Sequence, residues 1–139
     1  MMVKKTSARE ACGRPEARAR LAQAKKFVEV AAMCLDDASD EWTASAAAAL
    51  CVLAGIAASD AVCCVKLKER SRGQNHHDAE KLLQTISPNG RNMSQHLMKL
   101  INEKDNAHYG TMIVGQNKAK SMLRWANNLI QSADEAMKS

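Results

Sequence analysis

Three ionisable residues fall on faces that the sequence otherwise makes apolar, and together they suggest acid–base chemistry. Asp60 is the one charged residue in the run 44–65, which predicts a helix buried on most sides. A heptad step along the apolar stripe of a later helix reaches Lys104 and His108. A carboxylate beside a cation keeps its charge, and a histidine can act as a general acid or base. The spacing therefore predicts a centre in which Lys104 and His108 face Asp60.

The same three residues also fit a structural role. A buried ion pair can do nothing more than fix how two helices align. Structural pairs of this kind perturb pKa values just as working sites do. The residues by themselves favour the structural interpretation over a catalytic one.

Apolar residues at helical spacing predict the elements that position these groups. Aromatic residues make up only 3% of the chain, and no segment alternates convincingly with the period of a strand. The sequence therefore predicts an all-α, antiparallel up-and-down bundle of four to five helices. The predicted core stripes are Ala17, Leu21, Ala24, Val28, Ala31 and Leu35; then Leu53, Ile56, Asp60, Cys64 and Leu67; then Ala79, Leu82, Leu83 and Ile86; then Met93, Leu97, Leu100 and Ile101; and last Ala119, Met122, Ala126, Leu129, Ala133 and Met137.

Positive charge is concentrated at the amino-terminal end. The formal net charge of the chain is +5. Residues 1–26 contain eight Lys or Arg and two Glu, a net of +6, so the rest of the chain is slightly acidic. We predict a disordered basic arm at 1–14 and one helical domain at 15–139. The arm could meet phosphates or an acidic partner, or it could simply be a solubilising tail.

Five cysteines and the absence of an apolar leader favour a cytoplasmic protein with reduced, buried thiols. Zinc binding by Cys63, Cys64, His76 and His77 is a weak alternative. Adjacent helical cysteines point about 100° apart, and no paired Cys-x-x-Cys spacing occurs. We expect no metal and no cofactor.

Two further classes of partner follow from composition. Arg70, Arg72 and Lys66, with Arg18 and Lys25 on the first helix, are candidate phosphate-binding residues, although cations at a helix end also complement its dipole. The run 44–65 is long enough to span a membrane. An acid inside a span costs about 2.5–3.5 kcal/mol, so we expect no membrane partner.

Three segments resemble the HEPN family (higher-eukaryote and prokaryote nucleotide-binding). They are AASDAVCC at 57–64, GQNHHDAEKLL at 73–83 and LINEKDNAHYG at 100–110. The similarity extends over about residues 20–135. It implies a bundle of four to five helices that is often dimeric. Many relatives are metal-independent ribonucleases of toxin–antitoxin or phage-defence systems.

The resemblance also implies roles for residues of one motif, an Arg, a polar residue and a His near a helix end. Here His108 would move a proton at the ribose 2′-hydroxyl or the leaving oxygen, and Tyr109 would donate to phosphate. Lys104 would stabilise the developing charge, with Asp60 holding either partner in place. The motif departs from the family because Lys104 replaces Arg and lacks its bidentate fork.

Two functions are therefore expected. The first is a HEPN-like domain that engages RNA or a nucleotide, with ribonuclease activity only if this altered motif supports it. The alternative is a non-enzymatic helical interaction module, acting as a homodimer or as the partner of another protein.

Overall fold

Five helices and one small sheet make up the part of the chain that the computed structural model describes, namely residues 9–37, 40, 42–72, 76–104 and 113–139. This confirms the predicted all-α bundle. The helices are α1 (Arg14–Asp36), α2 (Thr43–Leu67), α3 (His76–Gln84), α4 (Gly90–Asn102) and α5 (Gln116–Lys138). The strands are β1 (Arg9–Ala11) and β2 (Glu69–Ser71).

Helix α2 is the central element, and small side chains let its neighbours approach closely. Sixteen of its 25 residues are buried, most of them Ala, Ser, Gly or Cys. At Gly55 a Cβ would collide with Leu100 Cδ1 of α4 and would touch Leu129 Cδ1 of α5. Alanine-rich packing of this kind lets α1, α4 and α5 approach one helix closely.

The predicted core stripes of four helices are confirmed. Their buried members include Leu21 of α1, Leu83 of α3, Leu97 of α4 and Leu129 of α5. The stripe assigned to α2 is partly wrong, because Leu53 is 39% exposed. Since α2 is apolar on nearly every side, its sequence contains too little periodicity to show which side is covered.

Helices α1 and α4 run antiparallel to α2, whereas α5 runs parallel to it, from Val114 beside Ser45 to Ser139 beside Lys66. Arg20 of α1 bonds Asp60, and the Cys12 amide before α1 donates to the Lys68 carbonyl after α2, at 3.0 Å in both cases. In each pair, the two residues are the same number of positions from the turn between α1 and α2. Met93, near the start of α4, lines a cavity together with Val62 of α2, and Leu100, near the end of α4, lies at Gly55. Helix α4 is therefore also antiparallel to α2.

The amino-terminal residues 9–13 are ordered against α2, which differs from the disorder predicted for 1–14. Lys68 ends α2 in the left-handed conformation, with φ of 63°, and this turns the chain back into β2. Strand β1 then pairs antiparallel with β2, with Glu10 opposite Arg70. Ion pairs of Arg9 with Asp78 and of Arg70 with Glu10 hold this segment in place. Composition alone does not show these pairings. Residues 1–8 lie outside the described residues, and the division into arm and domain otherwise stays a prediction.

Helix α2 is also long and apolar enough to cross a membrane, as judged by length and composition alone. Of its most apolar window, 72% is buried inside the bundle. Core helices of soluble proteins pass the same test.

Candidate interaction face and the Asp60 ion-pair cluster

Asp60 lies at the centre of an ion-pair cluster on the carboxyl half of α2. Arg20 Nε and Arg70 Nη1 both donate to Asp60 Oδ2, at 3.0 and 3.1 Å. Arg70 also forms two hydrogen bonds to Glu10 Oε1, at 2.9 and 3.1 Å. The cluster contains two arginines and two carboxylates, so its formal charges balance.

Burial dominates the electrostatics of this cluster. The Asp60 side chain is 10% exposed, and its removal from water raises the pKa of the carboxyl even though both arginines oppose the rise. Burial likewise raises the pKa of the Cys63 thiol to about 12, and the charge of Asp60 adds to this. A thiol with so high a pKa is a poor nucleophile at neutral pH.

The prediction that Lys104 supplies the counter-charge of Asp60 is wrong. Arg20 and Arg70 take that role. Helix α4 runs antiparallel to α2 and ends at Asn102, with Leu100 at Gly55, on the amino-terminal side of Asp60. The ion pairs of Asp60 are with the two arginines. Lys104 is half-buried just after α4.

The two other residues assigned to the catalytic centre, His108 and Tyr109, lie outside the described residues. The hydrogen bonds that Asp60 accepts within the described ranges come from the two arginines. Arg20 was missed because its helix carries several cations at 14–26 and nothing in their types singles one out. The equal spacing of Arg20 and Asp60 from the turn is the signal that would have identified it.

The five predicted phosphate-binding residues fall into two groups on different sides of α1 and α2. Lys25 Nζ bonds Asp134 of α5 at 2.9 Å, and Lys66 Nζ bonds Ser139 Oγ at 3.1 Å. Arg18 shares the helix face of Lys25, seven residues away. Arg70 lies in the Asp60 cluster instead, and the exposed Arg72 follows β2. Three of the five are thus held by side chains of this chain, and the five do not form one continuous surface.

The prediction that all cysteines are reduced thiols is also wrong. Cys12, just after β1, forms a disulfide with Cys64 of α2, 52 residues away in sequence. Cys34, Cys51 and Cys63 are free. Because Cys64 is bonded, it is not available for the zinc site considered above. Among the described residues no group of three metal-ligating side chains occurs.

The side of α2 that carries Asp60 is open to solvent in the amino half of the helix. Leu53 lies seven residues before Asp60 and therefore on the same side of the helix. It is 39% exposed, and on α1 Val30 and Met33 are 37% and 61% exposed. The half-buried Phe27 and Leu50 complete this surface, which we call the open face. Contiguous exposed apolar side chains are a feature of interaction sites.

Two opposite charges lie at the edge of the open face. Lys26 Nζ pairs with Glu29 Oε1 at 3.1 Å within α1, and their side chains are 67% and 58% exposed. An exposed pair at this spacing contributes only about 0.2–0.5 kcal/mol to the helix. Both groups can therefore exchange their partner for one on another molecule at little cost.

No protein-family model, curated protein or solved structure matches this chain. The resemblance to the HEPN family therefore stays a prediction.

Proposed function

We propose that this chain is a non-enzymatic helical interaction module whose open face binds a second copy of the chain. The observation that supports this is the adjacent exposure of Val30, Met33 and Leu53 on two packed helices. Burial of apolar surface stabilises an interface by about 25 cal/mol per Å² before the costs of association are subtracted. Each of these side chains is available for such burial.

A second copy is the partner that the chemistry of the face favours. A two-fold axis brings residue i of one protomer to residue j of the other, and j to i. An apolar patch satisfies this requirement because it is complementary to itself. In an antiparallel contact between two α1 helices, Lys26 meets Glu29 of the partner subunit, and the reverse pair forms by symmetry. The edge charges are thus complementary to their own copy.

The Asp60 cluster supports a non-enzymatic role. The carboxylate accepts hydrogen bonds from two arginines, and one of these arginines is also bonded to Glu10. A carboxylate held in this way is poorly placed to orient Lys104. The cluster is better suited to fixing the amino-terminal segment on α2.

Analytical ultracentrifugation across the micromolar range tests the proposal. We expect a reversible dimer for the wild type and a monomer for Leu53→Lys, because the substitution buries an ammonium in the interface. The matched control is Ile113→Lys, at an apolar residue that is 42% exposed outside the open face. A monomeric wild type, or a Leu53→Lys variant that dimerises normally, would contradict the proposal.

A charge exchange tests the geometry of the dimer. Lys26→Glu should weaken dimerisation, because the introduced carboxylate would face Glu29 of the partner subunit. Adding Glu29→Lys should restore it, since opposite charges then meet again. Failure of the double variant to recover would exclude the antiparallel contact of the α1 helices but would leave the open face itself untouched.

A second candidate function is engagement of RNA or a nucleotide. It is favoured by the net charge of +5 and by the exposed Arg18 and Arg72. Retention of labelled RNA should weaken steeply with salt if phosphates are bound. Cleavage that is lost in His108→Ala would establish a ribonuclease, and absence of both binding and cleavage would leave the interaction module alone.

A further inference from the structure

We infer that the Cys12–Cys64 disulfide is a redox-sensitive clasp: its reduction by a dithiol releases residues 9–13 from α2 and uncovers the Asp60 cluster. This inference does not depend on dimerisation. It concerns residues 9–13, which cover Asp60 and Cys64 on the carboxyl half of α2. The amino half of the same side of α2, at Leu53, is the open face.

The clasp is the covalent link between this segment and the core. Cys64 is fully buried, whereas Cys12 is half-buried. The members of β1 are exposed or half-buried, and the buried hydrophobic core begins at Ala17. Because β1 adds little to the core, its departure leaves the packing of the helices in place.

The other links of the segment are short or solvated. The sheet has two strands of three residues each, and a two-stranded sheet is marginal in water. Arg9 binds Asp78 through two hydrogen bonds, at 2.9 and 3.2 Å, with the Arg9 side chain 36% and the Asp78 side chain 9% exposed. Its second ion pair, with Glu69 at 3.5 Å, joins two side chains that are 36% and 40% exposed. Glu10, bonded to Arg70, is 42% exposed. Salt screens ion pairs that face water.

Reduction of the disulfide needs no catalytic side chain of the protein. A thiolate of the dithiol attacks the sulfur of Cys12, which is more accessible than that of Cys64, and forms a mixed disulfide. Cys64 leaves as a thiolate and takes up a proton. The second thiol of the reductant then closes its own disulfide and releases Cys12 as a thiol. Two electrons pass from the dithiol to the protein disulfide.

The arrangement turns a covalent bond into control of a surface. With the clasp closed, the Glu10 side chain and the Cys12 backbone lie on the end of α2 and on β2. With the clasp open, the guanidinium groups of Arg20 and Arg70 gain access to solvent and to anionic ligands. The reduced chain therefore differs from the oxidised chain in one region only.

Hydrogen–deuterium exchange of the full chain with and without dithiothreitol tests the clasp. The Cys12 amide, which donates to the Lys68 carbonyl, should exchange about tenfold faster or more after reduction. Amides within α2 and α5 should keep their protection. The gain should be larger at high salt, where the exposed Arg9–Glu69 pair is screened.

Two variants sharpen the result. Cys12→Ser should exchange fast at residues 9–13 in both redox states, and Cys34→Ser, at a free and half-buried thiol, should behave as the wild type. Unchanged exchange at residues 9–13 after complete reduction, verified by alkylation and mass spectrometry, would overturn the inference. Loss of protection throughout the helices would overturn it too, because the disulfide would then hold the whole fold.

Discussion

The two halves of one side of α2 are covered in different ways. Toward the carboxyl end, Asp60 and Cys64 lie beneath the amino-terminal segment, with two arginines and a disulfide closing the contact. Toward the amino end, Leu53 lies open beside exposed side chains of α1. Polar and covalent links thus complete the fold at one end, while the apolar end is exposed.

This difference shows why burial and polarity are poor guides to function when each is taken alone. On the same side of α2, the charged Asp60 is buried whereas the apolar Leu53 is exposed. Asp60 is tolerated in the core because arginines supply its counter-charge. Leu53 at the surface keeps apolar area that a binding partner could bury, which is the basis of the proposed dimer.

The largest effect is expected when the Cys12–Cys64 disulfide of the covered half is removed. Under oxidising conditions, Cys12→Ser should lower the free energy of unfolding by about 4 kcal/mol, the chain-entropy value for a loop of this length. The loop that the disulfide closes spans 52 residues of sequence. Urea denaturation measures the change, with Cys34→Ser as the control that should stay near the wild type. Equal stability of both variants would show that the covered half does not need its disulfide.

The next effect concerns the ionic part of the cover. Arg20→Met removes one of the two arginines from Asp60 while keeping the apolar stem, and we expect a loss of about 1.5–3 kcal/mol for a hydrogen bond to a charged group. Arg18→Met on the exposed face of the same helix is the matched control, with an expected change within about 0.5 kcal/mol. Similar values for both variants would mean that Arg70 alone satisfies Asp60.

The pH dependence of stability separates two carboxylates near the same cover. Burial raises the pKa of Asp60 above 3.8 in the folded state, so its contribution falls as pH rises from 3.8 through the folded pKa. The Arg9 guanidinium lowers the pKa of Asp78, so the contribution of Asp78 is lost as pH falls through its folded pKa. The difference in unfolding free energy between wild type and Asp60→Asn should therefore decrease with rising pH, and that for Asp78→Asn should increase. Slopes of the same sign would contradict the assignment.

The sequence was informative where a helix has one apolar side. The stripes through Leu21, Leu83, Leu97 and Leu129 repeat at helical spacing, so hydrophobic periodicity alone located four helices and their cores. Helix α2 has no such contrast, because alanine is apolar enough for the core and small enough for any side. Which of its sides stays open depends on its neighbours, and those are set by the tertiary fold.

The links that complete the candidate site depend on distant residues. A cysteine pairing cannot be deduced from spacing, so Cys12 and Cys64 were not connected. Apolar spacing predicts Lys104, which follows α4, as the partner of Asp60. The direction of α4 along α2, with Met93 near Val62 and Leu100 at Gly55, rules this out. The equidistance of Arg20 and Asp60 from a helical turn is a stronger criterion than a stripe that ends in a charge.

The smallest expected effect on the monomer comes from the open half. Leu53→Ala removes the same atoms as a core substitution, but 39% of the residue is already in water. We therefore expect a loss of less than about 1 kcal/mol in dilute protein, against about 2–5 kcal/mol for Leu97→Ala in the fully buried core. The comparison is made by urea denaturation of dilute protein.

The same measurement at higher concentration tests the proposed dimer. If the open face binds a second copy, binding stabilises the folded state of the wild type by mass action, and the deficit of Leu53→Ala should grow with protein concentration while that of Leu97→Ala stays constant. A concentration-independent deficit at both positions would mean that Leu53 packs only within its own chain.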